Sequence, residues 1–465
     1  MAHTIDMGAH QPSEYVSRRI TGDTQFMFQF YKPCIQYYAT GGNTAMSEPR
    51  LRQSLIQALH GCPLLFGRFK IHPSLSVSLD YDPENSNPPT LEFQKVALGF
   101  TQLRAENFAY AMATRHGLDM KIPDGSIGRG KDLPMLMVKV SYLVDGGVVL
   151  FSMTNHVAFD GNAMFSFLAH WARCNRQMDS PQVPGSLQTY ATSLVTPSDR
   201  KVTKGPVEIS VDASRTPAEI LQANSKVVGE GLQACVFSIS VDNVKKLVDM
   251  VGTDMWVSSN NAVAGFIMQC VARANTESMV YEPGDWTLFQ ALDMRRPLGL
   301  TPHGLGSPLI LAECHAINSE ISDPQKFPEI ARRVRTSLAK YTGEYLQSAM
   351  DWMRVAYSDL AQSGVLEPWR HFWFSALNTN RRAVGVSCMN RIPVYDADFG
   401  SGWPAMARSF NPRPNYVIVF PGPPVGPGFG DYACLHLYVT LERPAMEALQ
   451  ADVQWNEMCR LVSDK

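Results

Sequence analysis

The sequence predicts an α/β protein of two lobes, each built from a mixed sheet flanked by helices. Strand-like apolar runs alternate with stretches of helical periodicity on both sides of a middle segment. That segment, residues 196–231, mixes Pro, Ser, Lys and Gly with little periodicity and reads as a crossover. The chain has 465 residues, and at roughly 100–200 per domain this suggests two or three domains, or a pair of large ones. The expected division is therefore 1–195 for the first lobe, 196–231 for the linker and 232–465 for the second lobe. A segment around 365–390 is expected to return to the first.

The elements follow in order. A helix is predicted from Pro49 to His60, with Ser47 able to cap it, Leu51, Leu55, Ile56 and Leu59 on one stripe, and Gly61 and Pro63 ending it. Leu64 to Phe69 has strand character. Met135–Val144 and Val148–Thr154 are apolar runs around Asp145-Gly146-Gly147, which signals a hairpin. A helix is predicted from Asn162 to Gln177. Beyond the linker we expect strands over Ala234–Ser240, Leu309–Ala316, Tyr416–Phe420 and Cys434–Leu441. Helices are expected over Asp242–Val251, Ser259–Ala274, Thr342–Leu360 and Ala445–Met458.

Composition excludes several functions. With 41 Lys+Arg against 43 Asp+Glu the formal net charge is -2, so no electrostatic footprint for nucleic acid or anionic membranes exists. The longest uncharged stretch, Met255 to Ala272, contains Ser258, Ser259, Asn260, Asn261 and Gln269 and reads as a buried helix with its cap. The 9 cysteines are scattered, with no C-x-x-C, as expected of reduced thiols in an intracellular, cytoplasmic protein. Met1 to Ser17 lacks a secretory pattern, and Ser463-Asp464-Lys465 is no peroxisomal address. Metal spacing is missing, His303 and His315 being too far apart. No Walker loop, G-x-G-x-x-G or G-x-S-x-G is found.

Three groups of residues can carry chemistry. His156-x-x-x-Asp160-Gly161 comes straight off an apolar strand and precedes a hydrophobic helix, which places an imidazole at a sheet edge where a cleft can open. The alternative is a core histidine with Asp160 as a helix N-cap. Asp398-Phe-Gly400-Ser-Gly-Trp-Pro404 reads as a tight turn. Asp293-Met-Arg295-Arg296 is either a solvated charge cluster or the partner of a buried carboxylate elsewhere.

Taken in order, these residues resemble the BAHD family of acyl-CoA-dependent acyltransferases. Ser54-Leu55 running into Pro63-Leu64-Leu65-Phe66-Gly67-Arg68 is similar to the family's early S-L…P-L-A-G-R segment. His156 to Gly161 matches H-x-x-x-D-G, and Val257-Ser258-Ser259 with Arg273 resembles its second-lobe helix start. Asp293-Met-Arg295 resembles its D-x-R, and Asp398-Phe-Gly400 begins a variant of its D-F-G-W-G. The chain departs from the family at Ser401, where Trp is usual, at Ser387-Cys388-Met389, where Thr-Ser-Trp is often found, and at Gly306-Ser307 in place of Gly-Asn. These departures suggest a divergent, microbial or fungal branch.

The resemblance implies two lobes like chloramphenicol acetyltransferase subunits with a channel between them, and a monomer without permanent cofactor. It implies transfer of an acyl group, foremost acetyl, from acyl-CoA to a hydroxyl of a small specialised metabolite. His156 would be the general base: an ordinary imidazole, with a pKa near ~6.5, can take the proton of an attacking alcohol at neutral pH. Ser387 would donate to the oxyanion. Asp160 would pair with Arg295 to fix the histidine loop, and Asp398 and Gly400 would organise their own loop. Ser258, Ser259 and Lys245 are candidate coenzyme contacts, with a helix cap and solvated charge as their bland reading. An amine acceptor is chemically close. Condensation-type enzymes, which use carrier-protein thioesters, share the fold but often double the histidine, where this chain has Asn155. A binding protein without acyl transfer is the reading that Ser401 and Met389 keep open.

Overall fold

The computed structural model describes residues 3–4, 14–20, 31–39, 44–60, 62–71, 77–120, 134–178, 209–211, 231–302, 304–363, 372–374, 382–409, 413–425 and 433–464. The chain forms two compact units. Residues 1–200, 299–308 and 392–410 make the first, and residues 201–298, 309–391 and 411–465 the second. Most of the expected linker, 196–231, lies outside the described residues. The segments that return to the first unit are 299–308 and 392–410, whereas 365–390 belongs to the second. The reason is local: Ala383–Cys388 is a strand inside the second unit's sheet, hydrogen-bonded on both sides.

The first unit holds a six-stranded sheet. Its order is His3–Thr4, Thr90–Val96, Leu136–Leu143, Val148–Asn155, Tyr31–Tyr38 and Met406–Ser409. Thr90–Val96 and Leu136–Leu143 run parallel and the other neighbours antiparallel, so the sheet is mixed as expected. All 8 residues of Val148–Asn155 are buried, which is why this strand reads as an unbroken apolar run and not as an alternation. The predicted hairpin is present, with Gly146 in the turn. The helices Glu48–Leu59 and Gly161–Gln177 pack on one another. A smaller sheet pairs Val77–Tyr81 with Val16–Ile20 and Arg68–Ile71. The strand expected over Leu64–Phe69 is instead a 3-10 turn, Pro63–Phe66, followed by that short strand. Pro63 has no N–H for a ladder and a φ suited to a helix start, so the run turns before it extends.

The second unit holds a seven-stranded mixed sheet. Its order is Leu309–Ala316, Trp286–Asp293, Ala383–Cys388, Tyr416–Pro421, Cys434–Glu442, Leu232–Ser240 and Cys459–Asp464. Trp286–Asp293, Ala383–Cys388 and Tyr416–Pro421 are parallel. The helix Ser259–Glu277 is apolar on nearly every side and buried throughout its length to Asn275, apart from its first residues. One buried charge lies on it, Arg273. Arg273 bonds Asp452 Oδ2 through Nη2 at 2.6 Å and Nε at 2.8 Å, and both side chains are almost wholly buried. Asp452 also accepts from Trp455 N at 2.8 Å and caps Val453–Met458, so the expected single helix Ala445–Met458 breaks there into two. All nine cysteines are free, seven of them buried.

Two predictions follow from this packing. Removing one member of the buried pair strands the other charge, so Arg273→Ala or Asp452→Ala is expected to destabilise the second unit by about 3–5 kcal/mol. Denaturant unfolding that separates the two units would check this. In the first unit, His170 lies on Gly161–Gln177 beside Cys174, 3.7 Å away, and burial lowers its pKa to about 4. The unfolded chain therefore binds more protons between about pH 6.5 and 4, and stability is lost as pH falls through that window. A His170→Gln variant is expected to flatten the acid slope of the thermal midpoint there.

Candidate active site

His156 is the first residue past the buried strand Val148–Asn155, and the residue is 6% exposed. The chain turns sharply after it. Asn155 Oδ1 accepts from Val157 N at 2.9 Å, and Phe159 N donates back to Asn155 O at 3.0 Å. The turn is then held from outside by residues far along the chain. Gly306 N donates to Ala158 O at 2.7 Å, and Asp160 N donates to Gly306 O at 3.1 Å, a single parallel bridge between Phe159 and Gly306. Asn162 Nδ2 adds a bond to Pro302 O at 2.7 Å. Ser307, fully buried, brings its Oγ within 3.1 Å of His156 Nδ1. If Nδ1–H donates to this hydroxyl, the ring is the neutral tautomer with its lone pair at Nε2.

Asp160 is the N-cap of Gly161–Gln177, its Oδ1 accepting from Ala163 N at 2.8 Å. The capping role held open by the sequence is thus present. Arg295 belongs to the second unit, where Nη1 is 3.1 Å from Asp293 Oδ1 in its own D-x-R run.

The D-F-G segment lies in the first unit. Asp398 Oδ1 accepts from Gly400 N at 2.7 Å and from Gly402 N at 3.0 Å. Gly400 and Gly402 have φ of 98° and 90°, where a side chain is strained, so this turn needs both glycines. Phe399 inserts against Trp171, with ring centroids 4.9 Å apart. Asn175 Nδ2 donates to Phe399 O at 2.7 Å and to Ala45 O at 2.8 Å. Ser54 Oγ meets Asn175 Oδ1 at 2.9 Å and accepts from Trp171 Nε1 at 3.0 Å. Arg176 reaches the Asp398 carbonyl. Two motifs that stand apart in sequence, Ser54-Leu55 and Asp398-Phe-Gly400, are therefore one polar network around the helix that follows His156.

The remaining candidates lie in the second unit. Ser387 is on Ala383–Cys388 and 7% exposed. Ser258 caps Ser259–Glu277 in a reciprocal box with Asn261. Lys245 is exposed and 3.8 Å from Asp242 on the same helix. Sequence reasoning missed the role of Ser307, although Gly306-Ser307 stood out as a departure, and it missed Asn175, for which no sequence signal exists. Among the described residues no group of His, Cys, Asp or Glu is placed to hold a metal ion. No described helix is long and apolar enough to cross a membrane.

A profile of the Transferase family matches residues 122–455, and the chain belongs to this family, the BAHD acyltransferases. It is 24% identical to a hydroxycinnamoyltransferase of Narcissus pseudonarcissus over 388 residues, 81% of this chain and 82% of that one. It is also 24% identical to akuammiline synthase 1 of Alstonia scholaris over 424 residues, 88% and 85% of the two chains. Its fold is similar to that of F. graminearum TRI101 complexed with coenzyme A and deoxynivalenol. The TM-score is 0.75 at 16% identity, covering 96% of this chain and 100% of that one.

The cap at Asp160 is separable from its charge. Asn caps about as well as Asp, so Asp160→Ala is expected to be about 1 kcal/mol less stable than Asp160→Asn in thermal or denaturant unfolding.

Proposed function

We propose that this protein is an acyl-CoA-dependent acyltransferase that acylates a hydroxyl of a small specialised metabolite by direct transfer, with acetyl as the first acyl group to test. The observation that carries this reading is the 3.1 Å contact between His156 Nδ1 and a buried hydroxyl, on a turn pinned by Gly306. A base must be held in one orientation, and the hydroxyl at Nδ1 supports reading His156 as that base. TRI101, whose fold is similar, is complexed with coenzyme A and deoxynivalenol, which supports a reading with a coenzyme and a small molecule bound together.

In the proposed reaction Nε2 of His156 takes the acceptor's hydroxyl proton while its oxygen bonds to the thioester carbonyl carbon. The carbonyl π electrons move onto oxygen, and we assign Ser387 to donate a hydrogen bond to that oxyanion. Collapse re-forms the carbonyl and breaks the carbon–sulfur bond. The departing thiolate takes the proton from the imidazolium, which restores the neutral base. No acyl-enzyme forms, so both substrates must be bound together and orientation supplies much of the acceleration. Ser258, Ser259 and Lys245 are assigned to the coenzyme.

The test is release of free thiol from acetyl-CoA with a panel of alcohols and amines. His156→Ala is expected to lower kcat/KM by about 10²–10⁴-fold, and turnover intact in that variant refutes the base assignment. Turnover with amines alone, or only with carrier-bound acyl groups, would reassign the acceptor or the donor. Ser307→Ala should lower kcat on the order of tenfold with little change in KM, since it loosens the base without touching either substrate.

A further inference from the structure

The backbone just before His156 is held on a rigid platform. Asn155, the last residue of Val148–Asn155, is fully buried; its N–H donates to Met135 O at 2.9 Å, and in the sheet it stands opposite Tyr31. Its side chain then reaches past the end of the strand. Asn155 Oδ1 accepts from Val157 N at 2.9 Å, an Asx turn, and the ring closed by that bond runs from the asparagine side chain through the peptide groups on either side of His156. The φ and ψ of His156 lie inside that ring. These torsions decide where its Cβ points and which rotamers the imidazole can take.

Ser307 and Asn155 thus act on different parts of one residue. Ser307 Oγ meets the ring at Nδ1 from 151 positions along the chain, whereas Asn155 restrains the backbone from the adjoining position. We propose that Asn155 is the positioning residue for His156: by closing the Asx turn over it, the asparagine carries the fixed geometry of the sheet into the backbone of the base and sets the line along which the imidazole meets the acceptor hydroxyl. The inference rests on the base role proposed for His156. An apolar residue at 155 would continue the buried strand equally well, but it would take this acceptor from Val157 N–H, in a residue 1% exposed, and the turn would have to shift to find another.

Asn155→Leu tests this, because it keeps roughly the size of the side chain and deletes the acceptor. With acetyl-CoA and an accepted alcohol, kcat is expected to fall on the order of 10²-fold while KM for acetyl-CoA stays within about twofold, since a base displaced by about 1 Å loses rate without touching the coenzyme. Asn155→Asp puts an acceptor oxygen back in the same place. Its kcat, read at the top of its own pH profile so that the added charge is kept apart, should return to within about threefold of wild type. Wild-type kcat in Asn155→Leu with only a lowered thermal midpoint overturns the proposal and leaves Asn155 a turn-former. A folded Asn155→Asp protein whose kcat is down on the order of 10²-fold overturns it as well, even where Asn155→Leu does not fold. Wild-type turnover in His156→Ala overturns the base reading and this inference with it, whereas turnover lost in His156→Ala but unchanged in Asn155→Leu overturns the positioning role alone.

Discussion

The first unit depends on a backbone bridge between residues separated by about 150 positions in sequence. Phe159 and Asp160 lie where the central strand has just ended, and without a partner the N–H and C=O groups of this turn would be buried and unpaired. Gly306 supplies both a donor and an acceptor there, and its neighbour Ser307 reaches the imidazole. Position of the histidine, start of the following helix and docking of residues 299–308 are therefore one structural event. The D-F-G segment is fastened to that same helix at its other end, through Asn175, Trp171 and Arg176.

At Nδ1 His156 meets a neutral hydroxyl, and this shapes the chemistry open to it. A carboxylate at Nδ1 would favour the imidazolium and so strengthen the base at the expense of the return of the proton. A serine oxygen fixes the ring without a formal charge, which suits the role proposed for His156, to accept a proton from an alcohol and surrender it to a thiolate within one turnover. The neighbouring carboxylate, Asp160, spends one oxygen on the helix N-terminus, where the unpaired N–H groups and the helix dipole favour a negative charge.

Much of this was legible in the sequence because it is local. The buried strand ending at Asn155, the Asp145-Gly146-Gly147 hairpin and the capped helix after Asp160 each carry their signal within a few residues. The Leu64–Phe69 run misled because strand composition there competes with Pro63, and the backbone restriction prevailed. The single helix expected over Ala445–Met458 failed because Asp452 is claimed by Arg273 from far away. The same limit explains Ser307 and Asn175. A serine after a glycine and an asparagine on an apolar helix look ordinary, and what singles them out is a partner brought in by folding.

The late origin of the segments that complete the first unit has a consequence for synthesis. Residues 392–410 supply the strand Met406–Ser409, which covers one side of Tyr31–Tyr38, and residues 299–308 close the histidine turn. While the chain is still emerging, the first two hundred residues present an open sheet edge and an unpinned turn, so this unit cannot finish folding before most of the second has been made. The first unit is therefore partly exposed until the second has been made as far as residue 391, and the hazard of edge-to-edge pairing is greatest during that interval. Activity at the proposed base would appear only after the strand Met406–Ser409 has taken its place, which couples the histidine of the first unit to segments made after much of the second.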